Sequence, residues 1–126
     1  MSELSFLVVE DSPTMRQLIT FSLKRFRNAK IVEATDGVDA LKKLNEGKFS
    51  LIICDINMPL MYGLKFLSMV RKNPSYDSVP FIIVTTEGAE ADKKKGLSLG
   101  ANAYLPKPIQ TNELLRVVKE QLKIED

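Results

Sequence analysis

The sequence has no histidine and only one cysteine, Cys54, among its 126 residues. Without imidazole the chain cannot form a Ser-His-Asp triad, a histidine base or a histidine-ligated metal site. Any histidine chemistry must come from a partner. A single thiol cannot close an internal disulfide, which suits a reducing compartment. Its place inside the apolar run Leu51 to Cys54 marks it as a small buried hydrophobe. No apolar run approaches the roughly 20 residues of a membrane span. The opening Met-Ser-Glu-Leu-Ser lacks the basic and long apolar stretches of a signal peptide. The expectation is a cytoplasmic protein without membrane insertion. Excess charge is scarce too: 18 Lys and Arg stand against 16 Asp and Glu, a formal net charge of +2. That is too little to argue for nucleic acid, and Lys93-Lys94-Lys95 is read as a solvated helix face.

Apolar content of 44% and charged content of 27% fit an ordinary globular domain rather than a disordered chain. The length fits one domain, 1–126, able to bury a core without disulfides or structural metal. Apolar runs at Phe6 to Val9, Ile31 to Val32 with Ala34, Leu51 to Cys54, Phe81 to Val84 and Ala103 to Leu105 alternate with stretches of helical period. The first, third and fourth are almost continuously hydrophobic, as strands covered on both faces are. The second and fifth are shorter and more mixed, as edge strands should be. Ser12 is placed to cap a first helix opened by Pro13, with Met15, Leu18, Ile19 and Phe26 inward. Asp36-Gly37 opens a second with Val38, Leu41 and Leu44 inward, and Gly47 ends it. Leu64, Leu67 and Val70 define a third, ending near Asn73-Pro74. A fourth over Ala89 to Leu99 is weakly amphipathic with an interior Gly96, and Thr111 is expected to cap a fifth with Leu114, Leu115, Val118 and Leu122 inward. Strict alternation of strand and helix predicts a doubly wound α/β domain with one five-stranded parallel sheet, order 2-1-3-4-5.

In that order the sheet reverses between strands 1 and 3, where such folds bind ligands. Glu10-Asp11 follows the first strand run, Asp55 the third, Thr85 the fourth and Lys107 the fifth. Three carboxylates, a hydroxyl and an ammonium therefore share one crevice. Unit charges 4 Å apart repel by about 1 kcal/mol in water and about 4 kcal/mol at a protein surface, so the cluster needs a cation. Oxygen-only ligands favour a hard ion, and Mg²⁺ suits a site with few carboxylates, retained waters and shared phosphate oxygens. With that charge neutralised, the central Asp55 is the best candidate nucleophile for a phosphoryl group, forming an aspartyl-phosphate. Glu10, Asp11 and the peptide carbonyl of Asn57 complete the metal shell, while Lys107 and the Thr85 hydroxyl meet the phosphoryl oxygens. Lys107 sits between Pro106 and Pro108, and its bond to Pro108 is a candidate cis peptide.

These residues resemble the receiver domain of two-component response regulators, above all its chemotaxis branch, which shares the flavodoxin-like strand order. The resemblance rests on Phe6-Leu-Val-Val-Glu10-Asp11, Glu33 to Leu41, Asp55-Ile-Asn-Met58-Pro59 with Met61 and Gly63, Val84-Thr85, Gly100-Ala101 and Lys107-Pro108. It implies that Asp55 accepts the phosphoryl group, that Glu10, Asp11, Asp55 and Asn57 hold Mg²⁺, and that Lys107 contacts the phosphoryl oxygens. It further implies a switch in which Thr85 couples to Tyr104 and reshapes the face of helix 4, strand 5 and helix 5. The implied partners are a sensor histidine kinase in trans and a downstream target protein, by chemotaxis resemblance a flagellar motor switch component. Thr86 departs from the family's usual alanine or glycine, whereas Asn57 and Glu87 match positions that tune dephosphorylation. A short to intermediate phosphoryl lifetime is the expectation.

Other readings fit less well. A phosphatase of the haloacid-dehalogenase type needs a second Asp two positions beyond its nucleophile, and Asn57 stands there. Turnover of outside substrates is therefore not expected, beyond catalysis of the protein's own phosphorylation and dephosphorylation. A flavin or nucleotide site is disfavoured because Glu10-Asp11 would repel phosphate and no Gly-rich loop follows the first strand. A regulator with a DNA-binding output would need further chain, since no nucleic-acid module is present and the sequence ends soon after the fifth helix.

Overall fold

Phe6 to Val9, Leu51 to Cys54 and Phe81 to Val84 are buried on both sides, and this decides the architecture. Strands with two apolar faces must be covered on both by helices. The computed structural model describes residues 4–57, 61–86 and 89–124. Its elements run β1 (Leu4–Val9), α1 (Pro13–Leu23), β2 (Ala29–Ala34), α2 (Gly37–Glu46), β3 (Leu51–Asp55), α3 (Gly63–Lys72), β4 (Phe81–Thr86), α4 (Glu90–Ser98), β5 (Ala103–Lys107) and α5 (Thr111–Leu122). The strands form one parallel sheet, β2-β1-β3-β4-β5, the order expected from the sequence. Alternate residues feed two cores. Leu7, Val9, Ile52, Cys54, Phe81 and Ile83 meet Leu44, Leu64, Leu67 and Val70 on the α2/α3 side. Phe6, Val8, Ile53, Ile82 and Val84 meet Ile19, Leu23, Leu114 and Val118 on the α1/α5 side. Each fully buried large apolar side chain contributes roughly 1.5–3 kcal/mol. No helix among the described residues is long and apolar enough to cross a membrane.

Ser12 caps α1 by accepting from the Met15 N–H at 3.3 Å, with Pro13 in the first turn, and Asp36 caps α2 by accepting from Asp39 N–H at 2.8 Å. Gly47 follows α2 and Asn73 follows α3, as expected. Three local expectations need correction. Val38 is 52% exposed, because the buried face of α2 runs through Gly37, Ala40 and Leu44 and leaves Val38 off that stripe. The cap of α5 is Gln110 rather than Thr111, with no side-chain cap bond; the Thr111 hydroxyl is engaged with Ser22 Oγ at 3.2 Å, tying α5 to α1. Phe26 lies beyond the end of α1, though its ring still packs on Phe6 with centroids 5.8 Å apart. The Lys107-Pro108 bond is cis.

Two glycines permit close approaches near the carboxyl edge. A Cβ on Gly63 would overlap the Asp55 carbonyl oxygen and stand 2.8 Å from the Ile56 Cα. Both are backbone atoms with no freedom to yield. A Cβ on Gly96 would instead meet the terminal methyl of Ile83 at 2.5 Å, which a rotamer change can move. Gly63→Ala is therefore expected to lower unfolding stability by about 1–3 kcal/mol through overpacking. Gly96→Ala should cost less, since a gain in helix propensity of about 1 kcal/mol offsets the crowding. Urea denaturation of both variants checks the order; equal losses would contradict the assignment of Gly63 to backbone contact.

Candidate functional site

Parallel pairing brings Val9 opposite Cys54 and Asp55 opposite Val84. The next residue along β1 is therefore Glu10, beside Asp55 at the end of β3. Glu10 is 1% and Asp55 2% exposed, whereas Asp11, one residue on, is exposed. Carboxylate oxygens of all three lie within 4.8 Å of one another. Two unit charges at that separation repel by roughly 3–4 kcal/mol at an effective dielectric near 20. A cation from the protein meets this cluster: Lys107, ending β5, reaches across to place Nζ 2.9 Å from Asp55 Oδ2. Asp55 Oδ1 accepts from the Asn57 N–H at 3.1 Å.

Glu10 is the least satisfied member. Its Oε2 accepts from the Ser12 N–H at 3.1 Å, but among the described residues its buried Oε1 has no hydrogen-bond partner. Burial, with a further contribution from the Asp55 charge, pushes its pKa from the ordinary 4.5 up to about 7, against the opposing effect of the Ser12 N–H. For Lys107, burial pulls the pKa down, and the hydrogen bond and charge of Asp55 outweigh it, so the ammonium is held above its ordinary value. Three clustered carboxylates, one lysine and one orphaned buried carboxylate oxygen suit a hard divalent cation bound through oxygen. Cys54 beside them is buried, and its thiol is pushed well above its ordinary pKa by that burial and by the Asp55 charge. It is inert packing, as expected.

Thr85, on β4, is buried beside this cluster, and Thr86 is exposed at the strand end. Tyr104 on β5 is 37% exposed. Thr85 and Tyr104 both line a cavity of about 210 Å³, together with Thr86, Ala89, Lys93 and Pro106. The structure thus brings together Glu10, Asp11, Asp55 and Lys107 at hydrogen-bonding or near-contact range, and sets Tyr104 apart from them on β5, where it shares a cavity lining with Thr85. Asn57 is exposed, its N–H turned to Asp55. Met58, Pro59 and Glu87 lie outside the described residues.

Sequence reasoning missed two features of the rim. The Tyr62 hydroxyl donates to Asp92 Oδ1 at 3.3 Å, joining the start of α3 to α4, and Tyr62 precedes α3 without any side-chain cap bond. Lys93, read as part of a solvated basic run, places its Nζ 3.8 Å from the centroid of the Tyr104 ring. Neither pair leaves a signature in local periodicity. A tyrosine at a helix N-cap position, where Ser, Thr, Asp or Asn is usual, is the nearest to a signal.

A doubly wound sheet whose switch point gathers three carboxylates against a lysine from the edge strand defines an α/β domain with an acidic pocket suited to a divalent cation. The family model for the response regulator receiver domain matches residues 6–119, and the chain belongs to that family: it is a receiver domain of two-component signalling rather than a metabolic enzyme. It is 37% identical over 122 residues to the chemotaxis protein CheY1 of Helicobacter pylori, covering 96% of this chain and 95% of that protein. The chemotaxis response regulator CheY4 of Vibrio cholerae superposes with a TM-score of 0.88 at 32% identity, over 95% of this chain and 99% of that one. The Mn²⁺-bound form of response regulator Rcp1 does so with a TM-score of 0.80 at 26% identity, over 93% of this chain and 90% of that one.

The pH dependence of stability follows from Glu10. Its carboxyl titrates higher in the folded than in the unfolded chain, so folding takes up a proton between the two values. The stability it contributes is complete below about pH 4.5 and is lost as pH rises through about 7. The melting temperature of the protein in EDTA should therefore fall between pH 5 and pH 8. Glu10→Gln, which cannot ionise, should flatten that slope; an unchanged slope would contradict the assignment.

Proposed function

We propose that residues 1–126 act as one receiver module in which Asp55 accepts a phosphoryl group from a histidine kinase supplied in trans. The observation that carries this reading is the Lys107 Nζ to Asp55 Oδ2 ion pair at 2.9 Å, set in a carboxylate cluster too crowded for one lysine to neutralise. Asp55 is the central carboxylate, joined both to Lys107 and to the Asn57 N–H. One of its oxygens attacks phosphorus, the bond from phosphorus to the donor imidazole nitrogen or carboxylate oxygen breaks, and the electron pair leaves with the donor. Lys107 keeps its proton and transfers its ion pair from the free carboxylate to the phosphoryl oxygens. Glu10, Asp11, Asp55 and the Asn57 carbonyl would hold Mg²⁺, with the orphaned Glu10 Oε1 among the oxygens free to face it. When bound, the ion neutralises charge on the incoming phosphoryl oxygens and relieves the mutual repulsion of the carboxylates. The Mn²⁺-bound relative supports an oxygen-ligated divalent site of this kind.

Thr85 is the group through which the modification is read. Drawn toward a phosphoryl oxygen, its hydroxyl vacates room beside the cavity that it lines with Tyr104, and the Tyr104 ring turns inward. The face formed by α4, β5 and α5 changes shape, and a target protein binds it differently. The chemotaxis relatives favour a flagellar motor switch component as that target. Asn57, exposed beside Asp55, stands at a position that in the family tunes dephosphorylation, which favours a short to intermediate phosphoryl lifetime.

Incubation with acetyl phosphate and Mg²⁺, followed by intact-mass measurement, is expected to add one phosphoryl group to the wild type and none to Asp55→Asn. Lys107→Met should slow or prevent the gain while leaving the fold intact. A mass gain that persists in Asp55→Asn, or that needs no divalent ion, would overturn the mechanism.

A further inference from the structure

Gly96 is the one buried residue of α4, so apolar packing does little to fix where this helix lies. Two consecutive side chains near its start reach off it. Asp92 accepts from the Tyr62 hydroxyl at 3.3 Å, and Lys93 sets its ammonium 3.8 Å from the Tyr104 centroid. Hydrogen bonding to Tyr104 holds the Lys93 ammonium above its ordinary pKa, with Glu90 on the preceding turn adding to the effect. The cation is therefore present throughout the physiological range. Lys93 and Tyr104 both line the open cavity beside the ring, together with Thr85, Ala89 and Pro106.

We propose that Lys93 is a positioning residue for the switch, its ammonium holding the Tyr104 ring outward and so opposing entry of the ring into the cavity beside Thr85. This rests on the Thr85-to-Tyr104 reading given above. The ammonium stands over the ring in the exposed pose that the structure holds, and a contact stronger in one of two states shifts their ratio by its differential energy. A cation over an exposed ring is worth roughly a two- to fivefold change in such a ratio. Lys93 thus sets how far the unmodified protein stays in its resting form. Anything that favours the inward ring, a phosphoryl group on Asp55 included, works against this contact, and by linkage the contact weakens binding of a phosphoryl mimic by the same factor.

The test uses the full chain labelled with 3-fluorotyrosine, with the Tyr104 resonance assigned through Tyr104→Phe. Solvent exposure of that fluorine is read from its H₂O/D₂O shift, and beryllofluoride with Mg²⁺ serves as the phosphoryl mimic. Lys93→Met is expected to lower the exposure of Tyr104 in the absence of the mimic and to tighten the mimic's apparent affinity roughly two- to fivefold. Lys93→Arg should behave as the wild type, and in a Tyr104→Ala background Lys93→Met should have no effect on affinity. If the mimic changes Tyr104 exposure in the wild type but Lys93→Met alters neither exposure nor affinity, the role of Lys93 is overturned and the switch stands. That role is likewise overturned if Lys93→Met tightens binding equally without Tyr104. If the mimic binds and Tyr104 exposure stays constant in the wild type, the switch reading itself fails and takes this inference with it.

Discussion

Glu10, Asp11 and Asp55 present carboxylate oxygens within 4.8 Å of one another, and two of the three side chains are buried. Mutual repulsion of this size would normally be relieved by distance or by water, and the sheet permits neither. The parallel register that aligns Val9 with Cys54 fixes where the next residues fall. Gly63 brings the start of α3 against the backbone carbonyl of Asp55. The surroundings answer with hydrogen bonds to carboxylate oxygens from the Ser12 and Asn57 N–H groups and with the Lys107 ammonium. Among the described residues Glu10 Oε1 is left without a partner, and burial, with the Asp55 charge adding to it, raises the Glu10 pKa. A site in this condition is poised to accept a cation.

The same edge of the sheet connects that pocket to the surface. β4 lies between β3 and β5, so Lys107 must pass over the end of β4, where Thr85 and Thr86 lie, to reach Asp55. Tyr104 stands on the edge strand with the Lys93 ammonium over its ring, and both side chains line the cavity that Thr85 also lines. α4, with Gly96 alone buried, rests against this assembly through side-chain contacts from neighbouring elements. A change of charge at Asp55 can therefore be expressed at α4 and β5 without disturbing the two hydrophobic cores, which lie on the faces of the sheet. Division between a rigid interior and a lightly held edge is what a reusable switch requires.

Much of this was legible in the sequence, for identifiable reasons. Unbroken apolar runs at Phe6, Leu51 and Phe81 can only be doubly covered strands, and once their order is set the residues after them must meet at one edge. The Ser12-Pro13 and Asp36-Gly37 pairs carry their own capping chemistry and were readable directly. Where expectation failed, the deciding partner lay far along the chain. Thr111 has the right chemistry for a cap, but Ser22 on α1 engages its hydroxyl. Val38 has the right hydrophobicity for the core, but Gly37, where a Cβ would overlap Met61, helps turn a different stripe of α2 inward. Lys93 was one of three consecutive lysines, and only the placement of α4 against β5 separates it from Lys94 and Lys95, which are exposed.

Membership in the receiver family explains why such an electrostatically costly cluster is built at all. Its carboxylates are arranged for a divalent cation, and thermal unfolding across a Mg²⁺ titration at about pH 7.5, above the Glu10 pKa of about 7, probes that arrangement most directly. A ligand bound only by the native state stabilises it by about 2.7 kcal/mol at roughly one hundred times its dissociation constant. The melting temperature of the wild type should climb steadily with Mg²⁺, and that of Asp11→Ala, altered at an exposed position, should climb far less. A melting temperature indifferent to Mg²⁺, or an equal rise in both proteins, would contradict a carboxylate cluster built around a metal.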